Sequence, residues 1–310
     1  MKLISVLIPT FEEEKNILDL INEIEKNLIN TNYNYEIIVI DNCSKDNTVK
    51  IVKKLIETNK KIRLIVNNNN YGHLRSPFYG LLQTKGDAAI LMNADFQDPP
   101  ELIEKLVTKW ASGSKIVLLQ KNNSEESKIK FFLRKFYYNL LNLISENKMT
   151  INTTGSGIFD KTIIQQLKTI NDPYPYFRGL ITEIGPSVNL LPFIQPKRKY
   201  GKTKNNFFHL YDIGMLGLVK HSKIPLRLMT IMGLIISVLS LLGALTFFLL
   251  KLFNWYDYSA GVAPLLIGVF LFGGFQLFFL GLIGEYIMVI MKHVRNLPLV
   301  VEKERVNFDK

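Results

Sequence analysis

Short apolar runs alternate with helical patterns over the first third of the chain. Each run is apolar without a break, which predicts a strand buried on both faces. Between the runs, apolar residues recur three and four positions apart, so we expect helices over residues 12–29 and 46–58 and from about Pro100. Alternation of this kind predicts an α/β domain with a mostly parallel sheet and ligands at its carboxyl strand ends. The predicted strands are Ile4–Ile8, Glu36–Ile40, Ile62–Val66 and Ala88–Met92.

Two longer apolar runs lie near the C-terminus and differ from everything before them. Leu228–Leu250 and Tyr258–Gly284 hold 23 and 27 residues without a charge. A helix of the shorter length spans ~35 Å, enough to cross a bilayer. Basic residues precede the first run and follow the second, whereas the loop at 251–257 has few. The positive-inside rule therefore predicts a two-helix hairpin in the inner (plasma) membrane, with both termini and the α/β domain cytoplasmic.

The charge of the chain is concentrated in one stretch. Residues 128–227 hold 16 Lys and Arg against 5 Asp and Glu, an excess equal to the net charge of +11 of all 310 residues. We therefore divide the chain into an α/β core (1–127), a basic remainder of the same domain (128–227), the hairpin (228–291) and a cytoplasmic tail (292–310). One cysteine excludes an internal disulfide and a multi-cysteine metal site.

The basic stretch contains two amphipathic segments. In Lys128–Ser145 the apolar residues follow helical spacing and lysines and arginines flank them, which is typical of a helix lying on a membrane surface. A helix packed on the core of its own domain would show the same stripe, and that alternative stays open. A second segment, Phe207–Val219, leads into the first apolar run.

Polar residues cluster where the predicted strands end. Carboxylates gathered at one edge of a sheet repel one another unless a divalent cation or a hydrogen-bonding nucleoside lies among them. We expect Asp95 in such a site, Asp46 and Asp98 as helix caps, and Gly155-Ser156-Gly157 as a backbone turn. The strand-end segments are Pro9–Glu13, Asp41–Asp46 and Asn93–Pro100.

These segments resemble the motifs of family 2 glycosyltransferases, which have the Rossmann-like GT-A fold. Within that family the chain is most similar to the polyisoprenyl-phosphate glycosyltransferases of the dolichol-phosphate mannose synthase type, and the similarity includes the hairpin. The order and spacing of the motifs, taken together, are more specific to the family than any single motif. The motifs are Ile8–Ile17, Asp41–Thr48, Asn70-Tyr71-Gly72, Gly86-Asp87, Asn93–Glu101, Arg178-Gly179-Leu180, Arg198-x-x-Gly201-x-Thr203-Lys204, Pro225–Leu228 and Gly284-Glu285-Tyr286.

The resemblance implies roles for named residues. Asp95 and Gln97 would hold Mg²⁺ or Mn²⁺ beside the donor diphosphate. Asp95 would also act in catalysis with four basic residues that contact phosphate. The basic residues are Arg134, Arg178, Arg198 and Lys204. The residues implied for the nucleotide sugar are Pro9, Phe11, Glu13, Asp41, Asn42, Asn70 and Asn93.

The chain departs from the family pattern at several of these positions. Asn93 replaces the first Asp of the Asp-x-Asp segment, which removes one negative charge from the metal site. Asn42 and Cys43 replace an Asp and a Gly of the early motif, so the base is less well defined, with uridine favoured. Glu183 stands where many relatives have an aromatic, and it either touches the sugar or lies near the membrane.

An anionic acceptor explains the basic stretch. A phosphate monoester is charged at neutral pH, since its second pKa is about 6. Such an acceptor can attack a sugar without a general base. We therefore expect inverting transfer from a nucleotide-diphosphate sugar to a polyprenyl (undecaprenyl) phosphate, feeding envelope glycan modification.

Other functions and partners stay open at this point. One alternative is another lipid or glycan acceptor, and a second is a catalytically weak nucleotide-sugar-binding scaffold. Nucleic acid is disfavoured as a partner, because the basic stretch adjoins the apolar runs. Glycines in the apolar runs permit close helix packing, so a homo-oligomer also stays open.

Overall fold

The structure of the protein is a computed structural model that describes residues 2–123, 153–184, 187–196, 198–200, 207–253 and 262–308. These residues form one eight-stranded sheet with helices on both faces. The strands are β1 (Leu3–Thr10), β2 (Asn34–Asp41), β3 (Ile62–Asn67), β4 (Ala88–Leu91), β5 (Ile116–Asn123), β6 (Thr153–Asp160), β7 (Asn189–Ile194) and β8 (Glu302–Val306). The helices are α1 (Ile17–Ile29), α2 (Thr48–Thr58), α3 (Gly72–Leu82), α4 (Leu102–Ala111), α5 (Lys161–Thr169), α6 (Phe177–Ile184), α7 (Phe207–His221), α8 (Ile224–Phe253) and α9 (Val262–Val294).

The sheet has a parallel centre and antiparallel neighbours. Its order is β7-β5-β6-β4-β1-β2-β3-β8, and β4, β1, β2 and β3 run parallel. Strand β6 pairs antiparallel with β4, and β8 pairs antiparallel with β3. Strand β5 pairs antiparallel with β6 and parallel with β7, so four of the seven strand pairings in the described residues are parallel. The predicted α/β class, its first four strands and the mostly parallel sheet are confirmed, and the antiparallel pairings of β5, β6 and β8 are features that the sequence did not predict.

The two faces of the sheet bury separate apolar clusters. In β1, Ile4, Val6 and Ile8 pack with α1, α2 and α4, whereas Leu7 packs with α3, α5 and α6 on the other face. All four side chains are fully buried. Burial on both faces explains why the strand sequence is apolar without alternation.

The amphipathic segment Lys128–Ser145, with Arg134, lies outside the described residues, as do Lys204 and the boundary predicted at residue 127. The second predicted segment, Phe207–Val219, is helical and forms most of α7.

Helix α8 contains the first long apolar run, and α9 contains the described part of the second, residues 262–284. Among the described residues, the segment Leu271–Val294 of α9 has the length and apolar composition to cross a membrane. The bent pair Tyr211–His221 and Ile224–Ser240, which meets at 75°, is a second candidate if it is taken as one span. Large apolar side chains stay exposed on both helices, for example Leu234 (66%) and Phe278 (67%). Surfaces of this kind are typical of contact with lipid or with another protein.

The predicted cytoplasmic tail forms part of the catalytic domain. After α9 the chain returns to the sheet, and β8 pairs with β3 from Leu64↔Val306 to Asn67↔Glu302. Lys53 of α2 donates to Glu304, and Tyr79 of α3 donates to Glu302 at 2.8 Å. The tail boundary at residue 292 therefore does not mark a separate unit, because backbone pairing and side-chain contacts join residues 302–306 to the domain.

Candidate active site

The loops that follow β1, β2, β3 and β4 meet along one edge of the sheet. Glu12 N donates to Ser44 Oγ at 2.8 Å, which joins the first two loops. Asn67 Nδ2 donates to Asn42 Oδ1 at 3.1 Å, which joins the second loop to the end of β3. The sequence prediction that these strand ends come together is confirmed, because parallel strands direct their carboxyl ends to the same edge.

Three of these loops contain a non-glycine residue with left-handed backbone. The φ angles are 56° at Glu12, 68° at Cys43 and 61° at Phe96. This region is costly for residues with a Cβ, and such strain is common at functional sites. Cys43 stands where the family motif has glycine, and its φ angle gives the physical reason for a glycine there.

Asn42 joins the loop after β2 to the loop after β3. Its Oδ1 accepts from Asn67 Nδ2 and from Tyr71 N (2.9 Å), and its Nδ2 donates to Asn70 Oδ1 (2.8 Å) and Gly72 O (3.3 Å). Both ends of the amide are therefore engaged. An aspartate here would lack the two donated bonds, so the asparagine suits this particular loop.

Asp41, at the end of β2, and Asp46, on the loop that follows, have different surroundings. Asp41 is fully buried, and its Oδ2 accepts from Ser44 N at 2.9 Å. Burial raises the pKa of Asp41, and the hydrogen bonds from Ser44 offset part of that increase. Asp46 accepts from Thr48 N (3.0 Å), the first residue of α2, and from Glu14 N (3.1 Å). It thus binds the start of the helix as predicted, although the N-cap position itself is held by Asn47.

Asp95 is the carboxylate at the end of β4, and a basic segment lies against it. Arg198 Nη2 donates to Asp95 Oδ2 at 2.7 Å, and Gln97 N donates to Asp95 Oδ1 at 3.1 Å. Lys199 follows, with Nζ 4.8 Å from the ring centre of Phe96. The structure thus brings Arg198, from a distant part of the chain, to the loop that contains Asp95 and Gln97.

Asp98 is buried beneath the Asp95 loop and fixes its conformation through hydrogen bonds. Its Oδ2 accepts from Ser156 Oγ (2.6 Å), Asn93 Nδ2 (2.8 Å) and Asn93 N (3.2 Å). The prediction that Asp98 caps the next helix is wrong. Pro99 and Pro100 have no N–H to donate to a cap, and α4 begins only at Leu102. Burial raises the pKa of Asp98, and the hydrogen bonds from Ser156 and Asn93 offset part of that increase.

The segment Gly155-Ser156-Gly157 is a strand rather than the predicted turn. It lies within β6, with φ angles of 85° at Gly155 and 155° at Gly157. A Cβ on Gly157 would stand 2.1 Å from Val117 O of β5, so a side chain has no room there. The flanking glycines let the backbone pass while Ser156 reaches Asp98.

Arg178 lies beside this cluster. A Cβ on Gly155 would stand 3.7 Å from Arg178 Nε, so the arginine side chain rests on the backbone next to Ser156. Arg178 is on α6, the second helix after β6 in the chain. Two of the four predicted phosphate-binding residues, Arg178 and Arg198, are thus near the end of β4, and the other two fall outside the described residues.

The oxygen atoms near Asp95 suit a hard cation that takes some of its ligands from a bound diphosphate. Asp95, Asn93 and Gln97 offer one carboxylate and two amide groups, and Mg²⁺ binds through one or two carboxylates plus phosphate oxygens. Within the described ranges, no three His, Cys, Asp or Glu side chains are grouped to hold a metal alone. The residues therefore suit an ion shared with a bound diphosphate.

The predicted site residues fall into two groups. The first group lies at the ends of β1 and β2 (Pro9 and Asp41) and on the loops after β1, β2 and β3 (Phe11, Glu13, Asn42 and Asn70). The second group, Asn93, Asp95 and Gln97, lies after β4. Three further residues of this site, Asn67, Ser44 and Ser156, were not predicted from the sequence. The glycines around Ser156 were a usable signal for it, because they mark a close backbone approach.

Comparison with known proteins agrees with this architecture. Residues 5–168 match the family described as glycosyl transferase family 2. An uncharacterized glycosyltransferase of Synechocystis sp. is 32% identical over 96% of this chain and 93% of its own. A prophage-derived bactoprenol glucosyl transferase of Shigella flexneri is 28% identical over 97% of each chain. Glucosyl-3-phosphoglycerate synthase from Mycobacterium tuberculosis, crystallised with Mn²⁺, UDP-glucose and phosphoglyceric acid, has a similar fold, with a TM-score of 0.53, 17% identity and coverage of 70% of this chain and 78% of that one.

Proposed function

Because the chain belongs to glycosyl transferase family 2, we propose that it moves a sugar from a nucleotide-diphosphate donor to a polyprenyl phosphate. The observation behind this proposal is the contact between Asp95 and Arg198 at the carboxyl ends of the parallel strands. In the proposal, Asp95 is the carboxylate that binds the cation, and the guanidinium of Arg198 beside it can form charge-assisted hydrogen bonds with a phosphate group. The similarity to a bactoprenol glucosyl transferase over nearly the whole chain supports the acceptor class. UDP is the nucleotide we propose, and undecaprenyl phosphate is the bacterial lipid.

The acceptor phosphate needs no general base in this mechanism. One of its oxygens attacks the anomeric carbon from the side opposite the leaving diphosphate, so the new O–C bond forms as the old C–O bond breaks. The configuration at that carbon inverts. Arg178 and Arg198, together with Arg134 and Lys204 in the proposal, hold the two phosphate groups close by compensating their charge. Asp41 and the loops around Asn42 hold the nucleoside.

A divalent cation completes the donor site in the proposal. Asp95 and Gln97 would hold Mg²⁺ or Mn²⁺, with Asn93 nearby. When bound, the ion compensates the negative charge that develops on the departing diphosphate. Asn93 replaces the first aspartate of the family motif, so the site has one carboxylate fewer. Its side chain still holds the loop in place, because Asn93 Nδ2 donates to Asp98.

The path of the chain supports a hairpin in the membrane. Strand β8 pairs with β3, so the segments before α8 and after α9 belong to the same domain. If α8 crosses a bilayer, α9 must therefore cross back. With basic residues on that side, the proposal places the domain and both termini in the cytoplasm of a multi-pass inner-membrane protein. The product would then feed envelope glycan modification.

The experiment that tests the function is a product assay. Purified protein receives undecaprenyl phosphate, Mg²⁺ or Mn²⁺ and a panel of nucleotide sugars, and mass spectrometry reads the lipids. We expect a lipid with one sugar joined through a single phosphate, with inverted configuration by NMR, and no product after EDTA. Asp95→Asn should lower turnover about 10²-fold or more, because several kcal/mol of charge stabilisation are lost. Asp19→Asn, a change of the same chemistry on exposed α1, is the control.

Each alternative predicts a different result. Transfer to a glycan or another lipid, but never to undecaprenyl phosphate, would show a different acceptor. UDP binding by calorimetry without transfer to any acceptor would indicate a scaffold. In that case Asp95→Asn would leave the cellular function unchanged.

A further inference from the structure

Helix α6, which holds Arg178, rests on the end of α7. His221 is the last residue of α7, and its side chain is 6% exposed. A Cβ on Gly179 would stand 2.0 Å from His221 Nε2, so the imidazole lies directly against the α6 backbone. Gly179 is the residue after Arg178. The position of this imidazole therefore limits where Arg178 can lie.

The same histidine is fixed on two further sides. Its Nδ1 donates to Glu183 Oε1 at 2.6 Å, at the far end of α6. Its ring centre lies 5.4 Å from that of Tyr176, the residue before α6. His221 thus contacts the beginning, the middle and the end of the short helix that presents Arg178.

The segment before α6 is joined to the apolar helices as well. Lys220 Nζ lies 2.6 Å from Asp172 Oδ2 and donates to Tyr174 O at 2.6 Å, and both members of the ion pair are about nine-tenths buried. His293 of α9 has Nε2 3.3 Å from Asp172 Oδ1. Tyr286 of α9 donates to Ser222 O at the corner between α7 and α8. Lys220 and His293, in the last turns of α7 and α9, therefore hold the segment before α6 in place.

We propose that His221 is a positioning residue for acceptor binding. Through Gly179 and Glu183 it sets the place of α6, so that Arg178 meets the phosphate of a lipid held at the level of the apolar helices. This inference rests on the proposed function, since it assigns Arg178 to the acceptor phosphate. It explains why a glycine follows Arg178: any side chain there would displace the imidazole. It also gives Glu183 a role other than contact with the sugar.

A double-mutant cycle on His221 and Gly179 tests the proposal. Gly179→Ala puts a methyl group where the imidazole lies, and His221→Ala removes the imidazole. Each change should raise KM for undecaprenyl phosphate about tenfold or more, since displacement of a binding group by about 1 Å is costly. The affinity for UDP, measured by calorimetry, should change less than about twofold, because α6 is not on the nucleotide loops. In the double variant the methyl occupies vacated space, so KM should rise less than the product of the single effects.

Matched variants show whether the effect is specific. Gly233→Ala is the same substitution within a helix, at a glycine where a Cβ meets nothing within 4 Å, and it should leave KM unchanged. Glu183→Gln keeps an acceptor for His221 Nδ1 and should resemble the parent, whereas Glu183→Ala should raise KM. Equal loss of UDP and acceptor affinity in His221→Ala would indicate general damage to the fold and overturn the proposal. Strictly multiplicative effects of the two single changes would also overturn it.

A binding experiment separates this inference from the proposed reaction. Farnesyl phosphate, a short soluble polyprenyl phosphate, is titrated into each of the four proteins in detergent. Weaker binding in both single variants, with partial recovery in the double variant, supports the positioning role even if no donor gives product. Equal binding in all four proteins would overturn it. Product formation by the parent with every variant unchanged would leave the proposed function standing and the positioning role refuted.

Discussion

Arg198 Nη2 lies 2.7 Å from Asp95 Oδ2, although 103 residues separate the two in the chain. The other oxygen of Asp95 accepts from Gln97 N. Both oxygens of the proposed cation ligand therefore have protein partners. A cation that approaches Asp95 must compete with the guanidinium, because two positive groups close to one carboxylate repel each other.

Removal of Arg198 should therefore strengthen cation binding and weaken catalysis. In Arg198→Gln, we expect Mn²⁺ affinity in the presence of UDP to rise about threefold to tenfold, as a competing charge-assisted hydrogen bond of about 1 kcal/mol net is lost. Turnover should fall about 10²-fold, because the arginine no longer compensates phosphate charge. Electron paramagnetic resonance of free Mn²⁺ measures the first effect.

Lys199→Gln is the control for that change. It removes the same charge one residue along, from a lysine whose Nζ lies 2.9 Å from Asp19 on exposed α1. Its Mn²⁺ affinity should equal that of the parent. If Arg198→Gln bound Mn²⁺ more weakly than the parent, the competition between arginine and cation would be disproved.

Loss of the Ser156 hydroxyl should destabilise the protein in a pH-dependent way. Ser156 Oγ donates to the fully buried Asp98 at 2.6 Å. In Ser156→Ala the buried carboxylate loses a donor, at a cost of about 1–3 kcal/mol near neutral pH.

The direction of the pH dependence follows from the pKa of Asp98. Burial raises this pKa above the ordinary value of 3.8, so the folded state holds the proton more strongly than the unfolded state. Asp98 therefore stabilises the fold most below the unfolded pKa, and this contribution is lost as pH rises through the folded pKa. Ser156→Ala raises the folded pKa further. The difference in unfolding free energy from the parent should therefore grow as the pH rises from the folded pKa of the parent through the higher folded pKa of the variant.

Urea unfolding in detergent measures this difference at each pH. Ser112→Ala is the control, since its exposed hydroxyl donates only to Lys109 O at a helix end. A difference that stays constant or shrinks as pH rises would contradict the role assigned to Ser156.

Replacement of Cys43 by glycine should stabilise the fold. A φ of 68° destabilises a residue with a Cβ by about 1–2 kcal/mol, and glycine removes this strain. Glycine also gives the unfolded chain more conformational entropy, which offsets about 0.5–1 kcal/mol of the gain. We expect Cys43→Gly to increase the free energy of unfolding by up to about 1 kcal/mol. Cys43→Ala keeps the Cβ and loses the same sulfur contact with Asn68 O, so it should not stabilise. Greater stability of the alanine variant would show that the backbone strain is not the cause.

Loss of Arg75 should release the C-terminal strand. Its Nε donates to Leu299 O at 2.9 Å and its Nη2 to Pro298 O at 2.8 Å. Arg75→Ala should lower the free energy of unfolding by about 1–2 kcal/mol and speed hydrogen exchange in β8. The amide of Asn68, which donates to Val301 O, should exchange faster too. Lys54→Ala, on the exposed side of α2, is the control, and unchanged exchange in β8 after loss of Arg75 would refute the prediction.

The sequence determined the elements and the edge of the sheet where the site lies. Strands such as β1 are buried on both faces, so their apolar residues run without a break and are visible locally. Because parallel strands end at one edge, the position of Asp95 at the end of β4 followed from the order of the elements alone. The starts of α1 and α4 were less accurate, because residues 12–16 and Pro99-Pro100 belong to loops shaped by contacts with other loops.

Only the tertiary structure decided which distant residues meet. Pro99 and Pro100 argue locally against a helix cap at Asp98, but nothing near Asp98 in the sequence points to Ser156, 58 residues away, as its partner. The basic tail looked separate from the domain, yet β8 pairs with β3 across more than two hundred residues. The contact of His221 with Gly179 has the same origin. Hydrophobic periodicity records the burial of each residue within its own element, whereas these contacts depend on how separate elements pack against one another.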